Sequence, residues 1–210
     1  MHHPILNNIE SIVFDLGEVI VDVDTLKTST AFQALSGGGS NDFFSFSKQA
    51  SFFNEFEKGH IGENDFRNAL RNALQKDCTD DELDKAWNAM LGDTPVEKLH
   101  ILLTLQKNYK IFALSNTNAI HIRFINDYLS LRKTGDCLEN YFHHAYYSYQ
   151  MGARKPDLEI YQIAIKQSSL VPDKTLMIDD RIENIDAAKK LGMQTFLLQS
   201  PNQFYDLFTP

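Results

Sequence analysis

Three aspartates stand at the ends of apolar segments, where a carboxylate needs a reason to be. Asp15 closes the run SIVFD, and Asp179 with Asp180 closes the run TLMIDD. Burying a charged group is costly unless the group is paired or bound to a metal ion. Adjacent carboxylates repel one another, and Mg²⁺, which prefers oxygen ligands, removes that repulsion. An acid of an isolated pair usually caps the next helix, but a third carboxylate at the same sheet edge favours a metal site.

Asp15 also has the chemistry of a nucleophile, because carboxylates attack phosphorus to form aspartyl-phosphate intermediates. Such an attack requires the phosphoryl oxygens to be neutralised, and Lys155 could contribute to this together with the metal. Ser115, followed by backbone amides at the start of a predicted helix, is suited to hold phosphate. The ordinary structural interpretations are a solvated surface lysine for Lys155 and a helix N-cap for Ser115, and the N-cap is compatible with phosphate binding.

Short apolar runs predict the strands that position these groups, at residues 9–14, 110–114, 145–149, 175–178 and 195–198. Helical patterns separate these runs. Strands that alternate with helices predict parallel pairing with right-handed crossovers, hence a doubly wound, Rossmann-like α/β sheet. Ligands bind such sheets beyond the carboxyl ends of the strands, which is where the polar groups fall.

The segment between the first two predicted strands has a different character, which indicates an insertion. Residues 41–92 are polar, rich in aromatic side chains and helical in period, and Thr79 with Glu82 forms a capping box. We therefore expect an α/β core of residues 1–22 and 93–210 and a helical cap of residues 23–92. The aromatic residues of the cap should mainly form its own small core, and some could line a substrate pocket: Phe43, Phe44, Phe46, Phe52 and Phe53.

Composition narrows the partners of this 210-residue chain. A formal charge of −8 argues against nucleic acid but not against a small phosphorylated metabolite, which needs only a local positive site. No apolar run is long enough to cross a membrane, and the N-terminus does not resemble a signal peptide. Two widely spaced cysteines, Cys78 and Cys137, favour a reducing cytoplasm. The apolar tail at residues 204–208 should pack on the core or on a neighbouring subunit, so we expect a monomer or a homodimer.

Four short blocks together resemble the haloacid dehalogenase superfamily, most of whose members are Mg²⁺-dependent phosphohydrolases. The blocks occur in the family's order and extend over nearly the whole core: FDLG at 14–17, LSN at 114–116, RKP at 154–156 and IDD at 178–180. The insertion lies where the family places its cap. The stretches FDLGEVIVDVD, LSNTN and MGARKPDLEIYQ resemble bacterial sugar phosphatases that act on glucose 1-phosphate.

The resemblance implies a role for each matching residue. Asp15 is the expected nucleophile, and Lys155 is expected to stabilise both Asp15 and the transferring phosphoryl group. The reaction would pass through a phospho-Asp15 intermediate that water hydrolyses. Mg²⁺ is expected on Asp15, the Gly17 carbonyl and Asp180, with Asp179 a direct or water-mediated ligand. The substrate phosphate is expected to contact Leu16, Ser115, Asn116 and Lys155.

Gly17 departs from the family pattern, which has a second aspartate two residues after the nucleophile. That aspartate protonates the leaving oxygen and then activates water, and proton transfer of this kind contributes on the order of 10² to 10⁴ in rate. A carbonyl ligand survives at Gly17, but the acid is missing, and Glu18 should point elsewhere. A cap residue such as Glu57, or water, could replace it. We hypothesise a preference for leaving groups that need little protonation, such as an anomeric oxygen.

Two other functions fit the same residues less well. A 2-haloacid dehalogenase needs no leaving-group acid, which suits Gly17, but it also needs no metal, and the acid pair would then face Asp15 without neutralisation. A non-catalytic phosphate-binding protein is permitted by the loss of one catalytic residue, but retention of Asp15, Ser115, Lys155 and the acid pair argues against it. His143 and His144 have no third ligand at metal spacing and are expected to be structural.

Overall fold

The computed structural model describes residues 3–37, 51–132 and 137–208, and a five-stranded sheet forms its centre. The strands are β1 Ser11–Phe14, β2 Lys110–Ser115, β3 His144–Tyr147, β4 Thr175–Asp179 and β5 Gln194–Leu197. They lie in the order β3-β2-β1-β4-β5, and all neighbouring strands are parallel. The sheet confirms the predicted doubly wound α/β core and places β1 in the middle.

The helices of the described segments fall into an insertion and a core group. The insertion between β1 and β2 contains α1 Thr25–Leu35, α2 Ser51–Glu57, α3 Glu63–Leu74 and α4 Asp80–Asn88. The core contains α5 Val96–Leu105, α6 Ala119–Leu131, α7 Ser148–Met151, α8 Leu158–Ser168, α9 Ile182–Lys190 and α10 Pro201–Phe208. Single 3₁₀ turns lie at Pro4–Leu6, Leu138–Tyr141 and Pro172–Lys174.

Both faces of the sheet are covered, which explains why its strands are continuously apolar in sequence. Ile12 and Phe14 pack on one face with side chains of α5, α6 and α10, whereas Val13 packs on the other with α8 and α9. The C-terminal tail belongs to the first face, where the Phe204 ring lies 6.2 Å from that of Phe14. The predicted packing of the tail on the core is therefore what the structure shows.

The helical insertion has an apolar cluster of its own. Phe56 and Phe66 stack at 4.1 Å, and Leu83 and Trp87 pack around them. Ile120 of α6 joins this cluster from the core. Phe52 and Phe53 pack against it as expected, while Phe43, Phe44 and Phe46 lie outside the described residues. The exact domain division at residues 22 and 93 stays a prediction.

Two predicted element ends can be compared with the structure. The capping box of Thr79 and Glu82 is present at α4, as predicted. β3 ends at Tyr147, two residues earlier than predicted, because Ser148 begins the one-turn helix α7. Among the helices of the described segments, none is both long and apolar enough to cross a membrane.

Candidate active site

The polar groups predicted from the strand ends converge on one edge of the sheet. Asp15 directly follows β1, while Ser115 ends β2 and Asp179 ends β4, the two strands that flank β1. The Asp15 amide continues the sheet by donating to the Ile178 carbonyl at 2.9 Å. The parallel register therefore sets all three side chains side by side at the carboxyl edge.

Lys155 lies between two of these carboxylates. Its Nζ is 2.9 Å from Asp15 Oδ1 and 2.7 Å from Asp179 Oδ2, and only 1% of its side chain is exposed. Burial disfavours the charged ammonium, but the two carboxylates more than offset this, so the pKa of Lys155 is raised. Lys155 is thus a permanent cation in contact with the proposed nucleophile.

Asp179 is fully buried, and protein donors engage both of its oxygens. Oδ2 accepts from Lys155, and Oδ1 accepts from the Arg181 amide and from Asn184 Nδ2, each at 2.9 Å. These bonds fix the carboxylate so that it holds the Lys155 ammonium against Asp15. Sequence reasoning missed Asn184, although its position in the first turn of α9 is one signal that could have found it.

Three carboxylates at this edge form a group that could hold a metal ion. Asp15, Asp179 and Asp180 each offer an oxygen, and these oxygens lie within 4.8 Å of one another. Burial raises the pKa of Asp15 to about 6, against the opposing effect of Lys155, and burial also raises the pKa of Asp180. Desolvated oxygen donors this close together fit a hard divalent cation such as Mg²⁺.

The loop after Asp15 is a tight turn whose left-handed residue is Glu18, with φ 58°, and not Gly17. Ile20 and Val21 both donate to the Leu16 carbonyl at 2.8 Å, which closes the turn. The Gly17 carbonyl accepts from Val19 at 2.7 Å and retains a second lone pair for a metal. A Cβ added at Gly17 would lie 3.5 Å from the nearest side chain, an ordinary contact. The backbone therefore does not require glycine there.

Asn116 connects two of the sequence blocks through its side chain. Its Nδ2 donates to the Lys155 carbonyl and its Oδ1 accepts from the Lys155 amide, both at 2.8 Å. Because the carboxamide is engaged in this way, a phosphate contact at Asn116 would fall to its backbone. The Leu16 amide likewise donates to Asp15 Oδ1, at 2.7 Å, and so orients the nucleophile. Ser115 lines the cavity described next.

A cavity of about 420 Å³ opens over this edge, between the core and the insertion. One wall is apolar and contains Val21, Val23, Trp87, Met90, Leu91 and Ile125. The polar groups beyond the carboxylate edge include Glu57, His121, Arg154 and Arg181. Of these, sequence reasoning had assigned a possible role only to Glu57. The volume of the cavity falls within the usual range for a site that binds a small metabolite.

Contacts between the core and the helical insertion position two polar groups of the cavity, His121 and Glu57. His121 of α6 accepts from the Asn118 carboxamide at 3.2 Å and donates to the Trp87 carbonyl of α4 at 3.3 Å. Burial lowers the pKa of His121 to about 4, so the ring is neutral at neutral pH. Burial raises the pKa of Glu57, although Arg154, at 3.1 Å, opposes this.

A parallel α/β sheet with a carboxylate nucleophile at its central strand defines the class of protein, and comparison identifies the family. The model for haloacid dehalogenase-like hydrolases matches residues 9–192. The chain therefore belongs to the haloacid dehalogenase-like hydrolase family, as its four sequence blocks predict.

The chain is similar in sequence and in structure to two named bacterial proteins. D-ribitol-5-phosphate phosphatase of Bacteroides thetaiotaomicron is 35% identical over 188 residues, covering 90% of this chain and 91% of the relative. A haloacid dehalogenase family enzyme from the same organism has a TM-score of 0.89 at 31% identity, covering 96% of this chain and 99% of the other. A structure of that enzyme with magnesium and inorganic phosphate has a TM-score of 0.82 at 31% identity, covering 90% and 93%.

Proposed function

We propose that the chain is a Mg²⁺-dependent phosphatase that hydrolyses a phosphate monoester of a small metabolite. The carrying observation is the position of Asp15 beside a buried cation and two further carboxylates, at the floor of a metabolite-sized cavity. The relative that is 35% identical is a phosphatase, and a relative of similar structure binds magnesium and phosphate. Hydrolase chemistry is common to the family.

The metal would be held by Asp15, the Gly17 carbonyl and Asp180. Asp179 would add a further oxygen, either directly or through a water molecule. When bound, Mg²⁺ supplies positive charge that stabilises the phosphoryl oxygens. The donor set is entirely oxygen, as this cation requires.

Asp15 attacks phosphorus, the bond to the leaving oxygen breaks, and phospho-Asp15 forms. Leu16 holds the attacking carboxylate through its amide, and Lys155 stabilises the charge that passes from the carboxylate to the phosphoryl oxygens. The Ser115 hydroxyl and the backbone amide of Asn116 bind the remaining phosphoryl oxygens. Water then attacks phosphorus and releases inorganic phosphate, which regenerates Asp15.

The cavity beyond the phosphate site suits a sugar or polyol phosphate. Trp87 offers an aromatic face, and Glu57 and Arg154 offer polar groups for hydroxyls. The relative that acts on D-ribitol 5-phosphate supports a substrate of this size. Glucose 1-phosphate is a second candidate, which follows from the sequence resemblance alone. A cytoplasmic location and a monomeric or homodimeric state stay predictions.

Dehalogenation is the weaker alternative. An L-2-haloacid dehalogenase from Xanthobacter autotrophicus shares the fold, with a TM-score of 0.57 at 18% identity. That likeness concerns architecture only. The grouped carboxylates favour a metal-dependent reaction. Lys155 carries one positive charge, whereas Asp15, Asp179 and Asp180 together carry three negative charges when ionised.

The test is an assay of phosphate and halide release on a panel that includes D-ribitol 5-phosphate, glucose 1-phosphate, 4-nitrophenyl phosphate and 2-chloropropionate. We expect phosphate release that requires Mg²⁺, stops in EDTA and is abolished by Asp15→Asn. Asp186→Asn is the matched control, because Asp186 is exposed on α9 and pairs with Lys189 at 3.7 Å. Halide release that is indifferent to EDTA, or phosphate release that survives in Asp15→Asn, would refute the proposal.

A further inference from the structure

The proposed reaction lacks a group that protonates the leaving oxygen. At Gly17, two residues after the nucleophile, there is no side chain. An alkyl leaving group is a strong base, so an enzyme that accepts such substrates needs an acid within reach. That acid has to come from another side of the cavity.

Four carboxyl groups line the cavity in the described part of the chain: Asp15, Glu18, Glu57 and Asp180. Asp15 is the nucleophile, and Asp180 belongs to the metal group. Glu18 is turned onto its own loop, where Oε1 accepts from the Val23 amide at 3.1 Å. Glu57 is the one of these four that lies on a helix of the insertion, so it reaches the cavity from an element separate from the carboxylate edge.

Contacts with the core fix the position of Glu57. Arg154 Nη2 lies 3.1 Å from Glu57 Oε2, and Arg154 Nη1 donates to Asn54 one turn earlier in α2. Lys58 pairs with Asp157 at 3.6 Å. These contacts attach the end of α2 to the core segment that carries Lys155, which holds the nucleophile. Glu57 therefore has a defined position relative to Asp15.

The turn after α2 lies very close to the core backbone at Gly59. Gly59 has φ +68°, and a Cβ there would lie 2.0 Å from the Tyr149 carbonyl oxygen. Only glycine allows the turn after Glu57 to approach the core backbone this closely.

The environment of Glu57 suits a proton donor. The Glu57 side chain is 24% exposed, and it lines the cavity. Burial raises its pKa, while Arg154 and then Arg181 oppose that rise. A carboxyl group with a raised pKa holds a larger share of its protons near neutral pH, as an acid catalyst should.

We propose that Glu57 is the general acid and base of this phosphatase and replaces the aspartate that is absent at position 17. This inference rests on the proposed function. In the first step Asp15 bonds to phosphorus, the bond to the leaving oxygen breaks, and the Glu57 carboxyl gives its proton to that oxygen. In the second step water attacks phosphorus, Glu57 takes a proton from the water, and the bond between phosphorus and Asp15 breaks. Both groups return to their starting states.

The test compares Glu57→Gln with wild type on two kinds of leaving group. With the best alkyl phosphate of the panel, we expect kcat to fall on the order of 10²-fold or more, because an amide cannot donate the carboxyl proton. With 4-nitrophenyl phosphate, whose leaving group needs little protonation, the first step should change by less than about 3-fold. Because the second step also needs Glu57, the variant should show a burst of 4-nitrophenolate and accumulate phospho-Asp15.

Glu55→Gln is the matched control. It makes the same substitution two residues earlier, in a side chain that pairs with His60 and is 44% exposed. It should behave as wild type with both substrates. An equal loss of the first-step rate on both substrates in Glu57→Gln would make Glu57 a structural residue, and no loss in either step would exclude any role; either result overturns the inference.

A second measurement covers the case in which Glu57→Gln does not fold. For a series of aryl and alkyl phosphates, the first-step rate of wild type should depend weakly on the pKa of the leaving group, since an acid is present. This expectation replaces the preference for weakly basic leaving groups that Gly17 alone suggests. A steep dependence in wild type would overturn the inference. Failure of the proposed function gives a different result, because wild type would then release no phosphate in a Mg²⁺-dependent manner from any substrate.

Discussion

The neutral state of His121 makes the stability of the fold depend on pH. The ring is 8% exposed and stacks on Trp87 at 4.8 Å. Its two nitrogens are matched to one donor, Asn118 Nδ2, and one acceptor, the Trp87 carbonyl. Protonation would place a second N–H against the Asn118 donor and a charge among buried groups, and Asp84 is the acid that favours this charge. Lowering the pH should therefore weaken the junction of α4 with α6.

The sign and size of the effect follow from the two pKa values. Burial lowers the pKa of His121 to about 4 in the folded state, from 6.5. Between these two pH values the unfolded chain binds more protons than the folded chain. The contribution of His121 to the free energy of unfolding is therefore fully present above pH 6.5 and decreases as the pH falls toward 4. A difference of this size is worth about 3 kcal/mol in full, and about 2 kcal/mol of it is lost by pH 5.

Urea unfolding in EDTA at pH 8, 7, 6 and 5, followed by far-UV circular dichroism, measures this effect. We compare wild type with His121→Gln, because all other titrating groups are common to both proteins. The stability advantage of wild type should shrink by about 2 kcal/mol between pH 8 and pH 5. Trp87, the single tryptophan of the chain, gives a second signal by fluorescence.

His100→Gln is the control, since His100 is an exposed histidine on α5. Its difference from wild type should not vary with pH. If the difference between wild type and His121→Gln is also constant from pH 8 to pH 5, then His121 is not held neutral by burial, and the reasoning fails.

Three substitutions test other parts of the structure by urea unfolding in EDTA. Lys155→Met should destabilise the fold by about 3 to 5 kcal/mol, because two buried carboxylates lose their cation, and added Mg²⁺ should restore part of the loss. Gly17→Ala should change the stability by less than about 1 kcal/mol, since a Cβ there makes only an ordinary contact with Val23; a larger loss would show that the turn requires glycine. Gly59→Ala should cost more than about 1 kcal/mol, whereas Gly62→Ala, whose Cβ meets nothing within 4 Å, should be nearly neutral; equal effects would contradict the close approach.

The sheet and its reactive edge could be predicted because local pattern carries them. The three central strands are largely apolar runs of four to six residues, and each ends at or beside a polar residue, Asp15, Ser115 or Asp179. Alternation of strands and helices then determines the parallel order. The end of β3 was misplaced because Ser148 makes its decisive contact, a hydrogen bond with the Thr117 amide, with a residue 31 positions away.

The same limit explains what sequence reasoning missed at the site. An asparagine after LS reads as a phosphate ligand or a helix cap, and nothing local indicates that Asn116 holds the backbone of Lys155, 39 residues away. His121 lies on an apolar helix face, so its partner Trp87 becomes visible only when the cap is docked. A glycine such as Gly17 suggests the left-handed residue of a turn, but that residue is Glu18, whose side chain accepts a hydrogen bond from the Val23 amide.

Docking of the insertion and placement of the catalytic lysine depend on the same short segment. Gly59 packs closely against the core backbone at Tyr149, and Arg154 contacts Glu57 and Asn54 at the end of α2. The residue after Arg154 is Lys155. The backbone of Lys155 is in turn held by Asn116 at the end of β2. Since these contacts are continuous, a substrate that displaces the insertion would also strain the lysine that stabilises Asp15. Substrate choice and chemical rate should therefore not be separable in this protein, and substitutions that loosen the turn after α2 should change kcat and KM together.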